Sequence, residues 1–466
     1  MENKKLPDGK RQPNFARLAV PLTVIVLLSV HAGLLAWSAT RHSPTLNEPG
    51  HLVAGLTHWK FGRFEVYRVN PPLTHYVAAI PVMLAGYQED WSGFYDSPGA
   101  RPEFRMGEDF IKANGERSIW LFTIARWGCI PFSLIGGLFC FFWSKELWKS
   151  NLAGLISLTL WCFEPNILAH GELVTPDCAA SAFGLGACYL FWRWLEQPTW
   201  GRALATGMVL GLAELTKTSW VILFGLFPVL WIFWLWTERK RGQDANRAAS
   251  SRHVWKKQSL QLAATLLLAL YLINLAYGFD GSFTPLKSFE FVSHALGGHD
   301  PGVPGNRFRE SWLGELPLPV PKQYVRGIDL QKKDFEDYGQ PSYLRGEWKD
   351  GGWWYYYIYG LAVKTPHGSQ LLVLLAMVTV IYYRKRLVDF DISPRDLVIL
   401  LTVPTVLMIL VSSQLEFNHH VRYVLPVLGY LYVLSGVVSL WFTAKQAGKI
   451  APRHDLTIQP VARNEA

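Results

Sequence analysis

Six short stretches of this chain set polar, reactive side chains among apolar residues. The first is Asn47-Glu48-Pro49-Gly50-His51, directly after a long apolar run. A carboxylate partly shielded from water has its pKa raised and can act as a base. The plainer reading is a helix start, with Asn47 as cap and Glu48 at the positive end of the helix. The second is Arg68-Val69-Asn70-Pro71-Pro72-Leu73, where two prolines start a helix and Arg68 either holds a phosphate or, on the plainer reading, is a solvated arginine. The third, Thr175-Pro176-Asp177, reads equally as cap, first-turn proline and first-turn acid, or as a second acid facing Glu48. Two acids on one face could bind a cation or position a nucleophile.

The fourth stretch is Glu214-Leu215-Thr216-Lys217. Its lysine either snorkels to headgroups or meets a lipid phosphate, and a Glu214–Lys217 pair is the plain alternative. The fifth runs from Tyr343 to Lys364 and holds Trp353-Trp354-Tyr355-Tyr356-Tyr357 and Lys364-Thr365-Pro366. An aromatic belt explains most of it, and aromatic faces also stack on sugar rings. The sixth is Asn418-His419-His420-Val421-Arg422-Tyr423-Val424-Leu425-Pro426. It could bind phosphate or metal, but adjacent histidines point different ways on a helix, which is a weak metal signal.

The elements that must position these residues are membrane helices. The chain has 466 residues, 50% hydrophobic and only 17% charged, with 21 Trp. Apolar windows of about 18 or more residues recur, each long enough for a bilayer core of roughly 30 Å. Spans are expected near Leu18–Ala39, Trp120–Trp143, Leu152–Leu168, Asp177–Trp194, Ala203–Thr216, Trp220–Trp236, Leu260–Tyr277, Leu371–Tyr383, Leu397–Val411 and Val424–Phe442. Trp353–Val363 is either a short span or half of one broken at Pro366. The expected fold is therefore an all-α polytopic membrane protein of about ten or eleven transmembrane helices.

The net charge of +9 is concentrated beside the spans. Lys4, Lys5, Lys10, Arg11 and Arg17 precede the first one. Arg239, Lys240, Arg241, Arg247, Arg252, Lys256 and Lys257 fill one short loop, and Arg384, Lys385 and Arg386 another. Such clusters orient a membrane protein and are expected on the cytoplasmic side, so nucleic acid is not an expected partner. Residues 1–17 are then a cytoplasmic basic tail, 18–444 the membrane domain and 445–466 a polar tail. Outer loops fall at 40–117 and 279–351. Pro49–Phe61 and Pro72–Ala85 read as juxtamembrane helices in the first outer loop. The apolar run from Leu18 to Trp37 is long for a signal-peptide core, so an uncleaved first span is expected. Five cysteines without a C-x-x-C pair read as buried free thiols.

The order and spacing of the six stretches say more than any one of them. The Asn47-Glu48 pair after the first span, the Pro-Pro-Leu helix, the acid opening a later span, the lysine between spans, Trp-Trp-Tyr…Lys-Thr-Pro and the Arg-Tyr…Leu-Pro helix resemble the type C glycosyltransferases. The chain is most similar to the bacterial branch related to protein O-mannosyltransferases and the lipid A aminoarabinose transferase. The resemblance runs from about Asn47 to Gly436.

The resemblance implies an enzyme of the inner (cytoplasmic) membrane with its active face extracytoplasmic. Such an enzyme moves a hexose or pentose from a polyprenyl-phosphate carrier to a protein, lipid or glycan acceptor, inverting the anomeric carbon. A loop carboxylate takes the acceptor proton and basic residues hold the lipid phosphate. A divalent metal is left open, and no metal ligands are named. The implied catalytic residues are Glu48, Asp177 and Asn47. The implied substrate contacts are His51, Arg68, Asn70, Lys217, Lys364, His420 and Arg422. The sequence departs from the family at two places. The usual Asp is Asn47, which cannot take a proton, so Glu48 or Asp177 would have to serve, and a residue often His is Asn70. Restoring Asn47→Asp is then expected to raise activity. Two other readings stand beside this one. One is a catalytically impaired relative that binds the lipid carrier. The other is a transporter or flippase, which needs polar groups near the midplane where these spans are mostly apolar.

Overall fold

A computed structural model describes residues 14–241, 248–384, 392–414 and 418–442. Lys4, Lys5, Lys10, Arg11, Arg247, Lys385, Arg386 and the tail 445–466 lie outside the described residues. Among the described residues the fold is helical, apart from a two-stranded hairpin of β1 (Ser342–Leu344) and β2 (Glu347–Lys349).

The chain enters through α1 (Asn14–Ser38). Three helices follow in the first long polar loop: α2 (Glu48–Phe61), α3 (Leu73–Ala85) and α4 (Glu103–Asn114). Helix α2 carries Pro49 in its first turn, where a proline is well suited. Helices α2 and α3 match the two expected juxtamembrane helices. Then come α5 (Arg117–Leu147), α6 (Asn151–Phe163), α7 (Pro165–Gly171), α8 (Asp177–Glu196), α9 (Trp200–Glu214), α10 (Ile222–Arg241) and α11 (Ala248–Ala276). The second long polar loop carries the single turn α12 (His294–Gly297), then α13 (Lys322–Glu336) and the hairpin. The chain closes with α14 (Tyr356–Lys364), α15 (His367–Tyr383), α16 (Asp396–Ser412) and α17 (Leu425–Ser435).

Each of the ten expected spans is helical, and the protein is a polytopic membrane protein. Five stretches among the described residues are long and apolar enough to cross a bilayer unaided: Leu18–Ser38, Arg117–Leu147, Thr218–Glu238, Trp255–Ala276 and Val421–Phe442. The pairs α6–α7 and α14–α15 bend by 61° and 113° and raise the number to as many as seven. The second bend falls at Thr365-Pro366, so the aromatic segment is one arm of a broken helix pair rather than a separate span. Helix α8 needs no lipid-like surface, because α5, α9 and α17 enclose it and nearly all its residues are buried. Trp220 locks it from the side by donating to Ala180 O at 3.1 Å.

The two long polar loops pack on each other. Gly327 of α13 lies so close to the Arg68 carbonyl that a Cβ there would sit 2.0 Å from it. Arg101, just before α4, meets Asp334 of α13 at 2.7 Å. Neither α4 nor α13 is anticipated from apolar content. Both are polar amphipathic helices that bury one face on the neighbouring loop.

Candidate functional site

One buried ion-pair node lies behind the wall of the site. Glu48 of α2 and Arg126 of α5 are fully buried and joined by two parallel bonds, Nε to Oε1 at 2.8 Å and Nη2 to Oε2 at 2.7 Å. The remaining Arg126 N–H groups donate to Ala39 O, His42 O and Ser43 O. Glu48 also accepts from Thr45 N and Val174 N, at 2.8 and 3.1 Å. All five guanidinium donors and all four carboxylate lone-pair sites are therefore taken. Burial pulls the Glu48 carboxyl upward, but the Arg126 bonds and charge, with the Thr45 and Val174 amides, hold it below the usual carboxylate range. The node ties the end of α1, the 42–45 loop, the start of α2, α5 and the approach to α8 into one unit.

Next to it, lined by the neighbouring Thr45, Leu46 and Asn47, lies a cavity of about 650 Å³. Eight of the ten anticipated residues line it: Asn47, His51, Asn70, Asp177, Lys217, Lys364, His420 and Arg422. They come from the start of α2, the turn before α3, the start of α8, the turn after α9, the end of α14 and the turn before α17. Asp177 is the hub. Its Oδ1 accepts from Lys217 Nζ at 2.8 Å, and its Oδ2 lies 3.8 Å from Arg422 Nε. The Lys217 ammonium also sits 4.7 Å over the Tyr423 ring. With its amide oxygen toward the guanidinium, Asn47 accepts from Arg422 Nη2 at 2.9 Å and Nη1 at 3.2 Å.

Two anticipated residues are elsewhere. Glu48 lies behind the wall and has no open lone pair, so its place is that of an anchor and not of a base. Arg68 is buried and bound to Asp96 Oδ1 at 2.6 Å and to Glu65 O at 3.2 Å, so it faces no open cavity. Three plain alternatives also differ from the geometry. Asn47 makes no cap bond to α2, because its amide is turned to Arg422. Thr175 does not cap α8, and its buried hydroxyl has no partner. Glu214 does not pair with Lys217. It accepts instead from the Tyr324 hydroxyl at 2.8 Å, across to α13.

Other groups reach the site without having been singled out. Arg101 and Asp334 line the cavity as a pair, and Arg101 is bound further to Glu103 at 2.6 Å. His170 lines it with a buried Nδ1 that lacks a partner. Setting the Arg101–Asp334 pair aside, the cavity offers the cations Lys217, Lys364 and Arg422 against the single carboxylate of Asp177. That is a receptor for an anion, and phosphate suits both the planar guanidinium and the ammonium groups. Among the described residues no group of three or more His, Cys, Asp or Glu side chains could hold a metal ion.

Residues 111–280 match the family model described as dolichyl-phosphate-mannose-protein mannosyltransferase. The match bears out the resemblance to the type C glycosyltransferases across α5 to α11 and contains Asp177 and Lys217. Among curated proteins, none matches this sequence. Among solved structures, the chain is similar to ArnT from Cupriavidus metallidurans bound to undecaprenyl phosphate, with 14% identity and a TM-score of 0.45, covering 91% of this chain and 61% of that one. It is also similar to the apo form of the Archaeoglobus fulgidus oligosaccharyltransferase, with 12% identity and a TM-score of 0.46, covering 91% of this chain and 52% of that one. The chain thus spans between half and two thirds of the length of these structures.

Proposed function

We propose that this protein is a membrane glycosyltransferase that moves a sugar from a polyprenyl-phosphate carrier to a hydroxyl acceptor, with inversion. The observation that carries the reading is Asp177 held between Lys217 and Arg422 in a cavity with excess positive charge. In the transfer, the acceptor oxygen bonds to the anomeric carbon on the face opposite the phosphate. The carbon–oxygen bond to phosphate breaks and its electron pair leaves with the phosphate. Lys217, Arg422 and Lys364 hold the growing negative charge there, which is where fixed cations accelerate such a step. Asp177 keeps Lys217 and Arg422 apart and aimed. The family match at residues 111–280 supports a polyprenyl-phosphate donor. Membership of the cytoplasmic membrane, with the cavity on the extracytoplasmic side, is part of the same reading. Its support is the basic clusters beside the spans.

A second reading, a relative that binds the lipid carrier without transferring sugar, is favoured by one observation. The carboxylates lining the cavity, Asp177 and Asp334, are both bound to cations, and position 47 is an amide. Transport has less support, since the polar residues gather at one end of the helices. The test is transfer of labelled hexose or pentose from polyprenyl-phosphate donors in membranes carrying the protein, with polyprenyl-phosphate binding measured in parallel. Transfer whose donor kcat/KM falls roughly 10- to 100-fold in Lys217→Ala supports the transferase. Binding without transfer supports the second reading. Neither binding nor transfer overturns both.

A further inference from the structure

A chain of three buried histidines runs inward from the cavity. His51 and His58 lie two turns apart on α2, on one face, and His75 of α3 sits between them. His51 Nδ1 is 2.8 Å from His75 Nε2, and His75 Nδ1 is 3.2 Å from His58 Nε2. His58 Nδ1 is 2.7 Å from the carbonyl oxygen of Arg63. The geometry is built rather than incidental. A Cβ on Gly55 would meet the His75 carbonyl oxygen at 2.1 Å, so only glycine lets α3 approach α2 this closely. The Tyr67 ring stacks on His51 with centroids 3.9 Å apart and fixes its plane.

The far end of the chain fixes every proton in it. The Arg63 carbonyl can only accept, so His58 carries its proton on Nδ1. A neutral His58 then has a lone pair on Nε2 and must accept from His75 Nδ1. By the same step His75 must accept from His51 Nδ1. His51 is left with a bare lone pair on Nε2, which has no protein hydrogen bond among the described residues. His51 lines the cavity beside Arg422, Asp177, Arg101 and Lys217. Burial keeps all three rings neutral at rest: His51 is lowered to about 3 by burial and then by Arg422, and His58 to about 4 by burial. His75 is lowered in the same direction, by burial and by its two histidine neighbours.

We propose that His51 is the base of this site and that His75 and His58 are positioning residues that orient it and store its proton. The inference rests on the transferase reading of the cavity. The acceptor hydroxyl loses its proton to His51 Nε2 as its oxygen bonds to the anomeric carbon and the phosphate departs with the electron pair. The Nδ1 proton of His51 passes to His75 Nε2, and that of His75 Nδ1 to His58 Nε2. The positive charge thereby leaves the neighbourhood of Arg422, Arg101 and Lys217 and comes to rest on His58, where Glu65 favours it. When products leave, the proton returns by the same path to phosphate or water in the cavity. His51 follows Asn47 by one turn, so the base stands beside the position where a carboxylate is missing.

Two measurements test this on the full-length protein in lipid bilayers. The first is nitrogen-15 magnetic resonance of histidine-labelled protein, with signals assigned by single substitutions. His51, His75 and His58 are expected in the Nδ1–H tautomer, the reverse of the form that free imidazole side chains prefer. His58→Leu should release His75 and His51 from it, whereas His58→Gln, whose amide can both donate to Arg63 O and accept from His75, should not. An Nε2–H tautomer at His51 in the unmodified protein overturns the proposal. The second is transfer turnover: His51→Ala should lose about 100-fold or more in kcat, the usual weight of a general base. His75→Leu and His58→Gln should lose kcat with donor KM unchanged. Turnover of His51→Ala within twofold of the unmodified protein overturns the base role. If the tautomers are as expected but the unmodified protein transfers no sugar, it is the transferase reading that fails, and the base role with it.

Discussion

Replacing Glu48 by Gln separates an anchor from a base. In the native protein each Glu48 oxygen accepts from Arg126 and from one backbone amide. A Gln side chain keeps one carbonyl oxygen, but its NH₂ must face an Arg126 or backbone donor. Arg126 is then left buried with its charge uncompensated, since its other contacts are neutral carbonyls. Breaking one partner out of such a buried pair costs about 3–5 kcal/mol. Unfolding entropy of about 2.1 cal/mol/K per residue converts this to a Tm loss of about 3–5 °C for a chain this long. That loss is a lower bound, because membrane helices keep much of their order on unfolding. The five cysteines are all buried, so a thiol-reactive dye reports the transition directly. The expected result is a clear fall in Tm, with lost turnover that follows the lost fold. A Glu48→Gln protein that melts with the native one yet transfers no sugar would refute this reasoning and return Glu48 to the role of base.

Three further outcomes follow from the same geometry. Lys217→Ala and Arg422→Ala should each lower kcat/KM for the donor by roughly 10- to 100-fold, since a hydrogen bond to a charged group contributes about 1.5–3 kcal/mol; a kcat/KM within twofold of native would remove that residue from phosphate stabilisation. Asn47→Asp should weaken donor binding, because a carboxylate 2.9 and 3.2 Å from the Arg422 nitrogens competes with the phosphate. A gain in kcat at constant KM would instead show that the missing acid was the base. Glu172 is buried, with Ser38 as its hydrogen-bond donor and Oε2 unpartnered, and burial raises its carboxyl to about 7. The folded protein therefore holds this proton more tightly than the unfolded chain, so the stability linked to it is present below pH 4.5 and lost as pH rises through 7. Glu172→Gln should raise Tm at pH 8 and change it little at pH 4.5; at about 1.4 kcal/mol per pH unit the ceiling is about 3 kcal/mol.

Much of this arrangement was legible because lipid forces apolar runs and because prolines and acids mark helix ends. The spans, the break at Pro366 and the two juxtamembrane helices follow from those signals. The amphipathic α4 and α13 did not, since they bury their faces on another loop and show no lipid-length run. Eight of the residues lining the cavity were legible as polar groups at helix ends and turns, most of them beside the spans. The roles of Glu48 and Arg68 were not, because a buried partner far along the chain decides each. For Glu48 a signal did exist: Arg126 stands inside an apolar span, and an intramembrane arginine calls for a carboxylate. For Arg68 the partner is Asp96 in a polar loop, which nothing in the local pattern marks. The histidine chain also had a trace, in His51 and His58 at a two-turn spacing. It becomes a chain only when Gly55 brings His75 between them.

The amide at position 47 follows a consistent electrostatic logic. Lys217 and Arg422 share one carboxylate, Asp177, and a second acid at position 47 would bring that group of four side chains to neutrality. A neutral group has no excess charge for a departing phosphate, whereas an amide orients Arg422 through two hydrogen bonds and leaves its charge available. The cost of the exchange is the proton acceptor. A proton taken beside these cations would be repelled by them wherever it remained in the cavity. A base of neutral imidazoles that carries the charge inward toward Glu65 avoids that repulsion, and a lone carboxylate at position 47 would not. Anion binding and proton removal are then divided between two faces of one cavity. The Glu48–Arg126 node fixes the α2 start that presents both, which is why its loss should disturb both functions together.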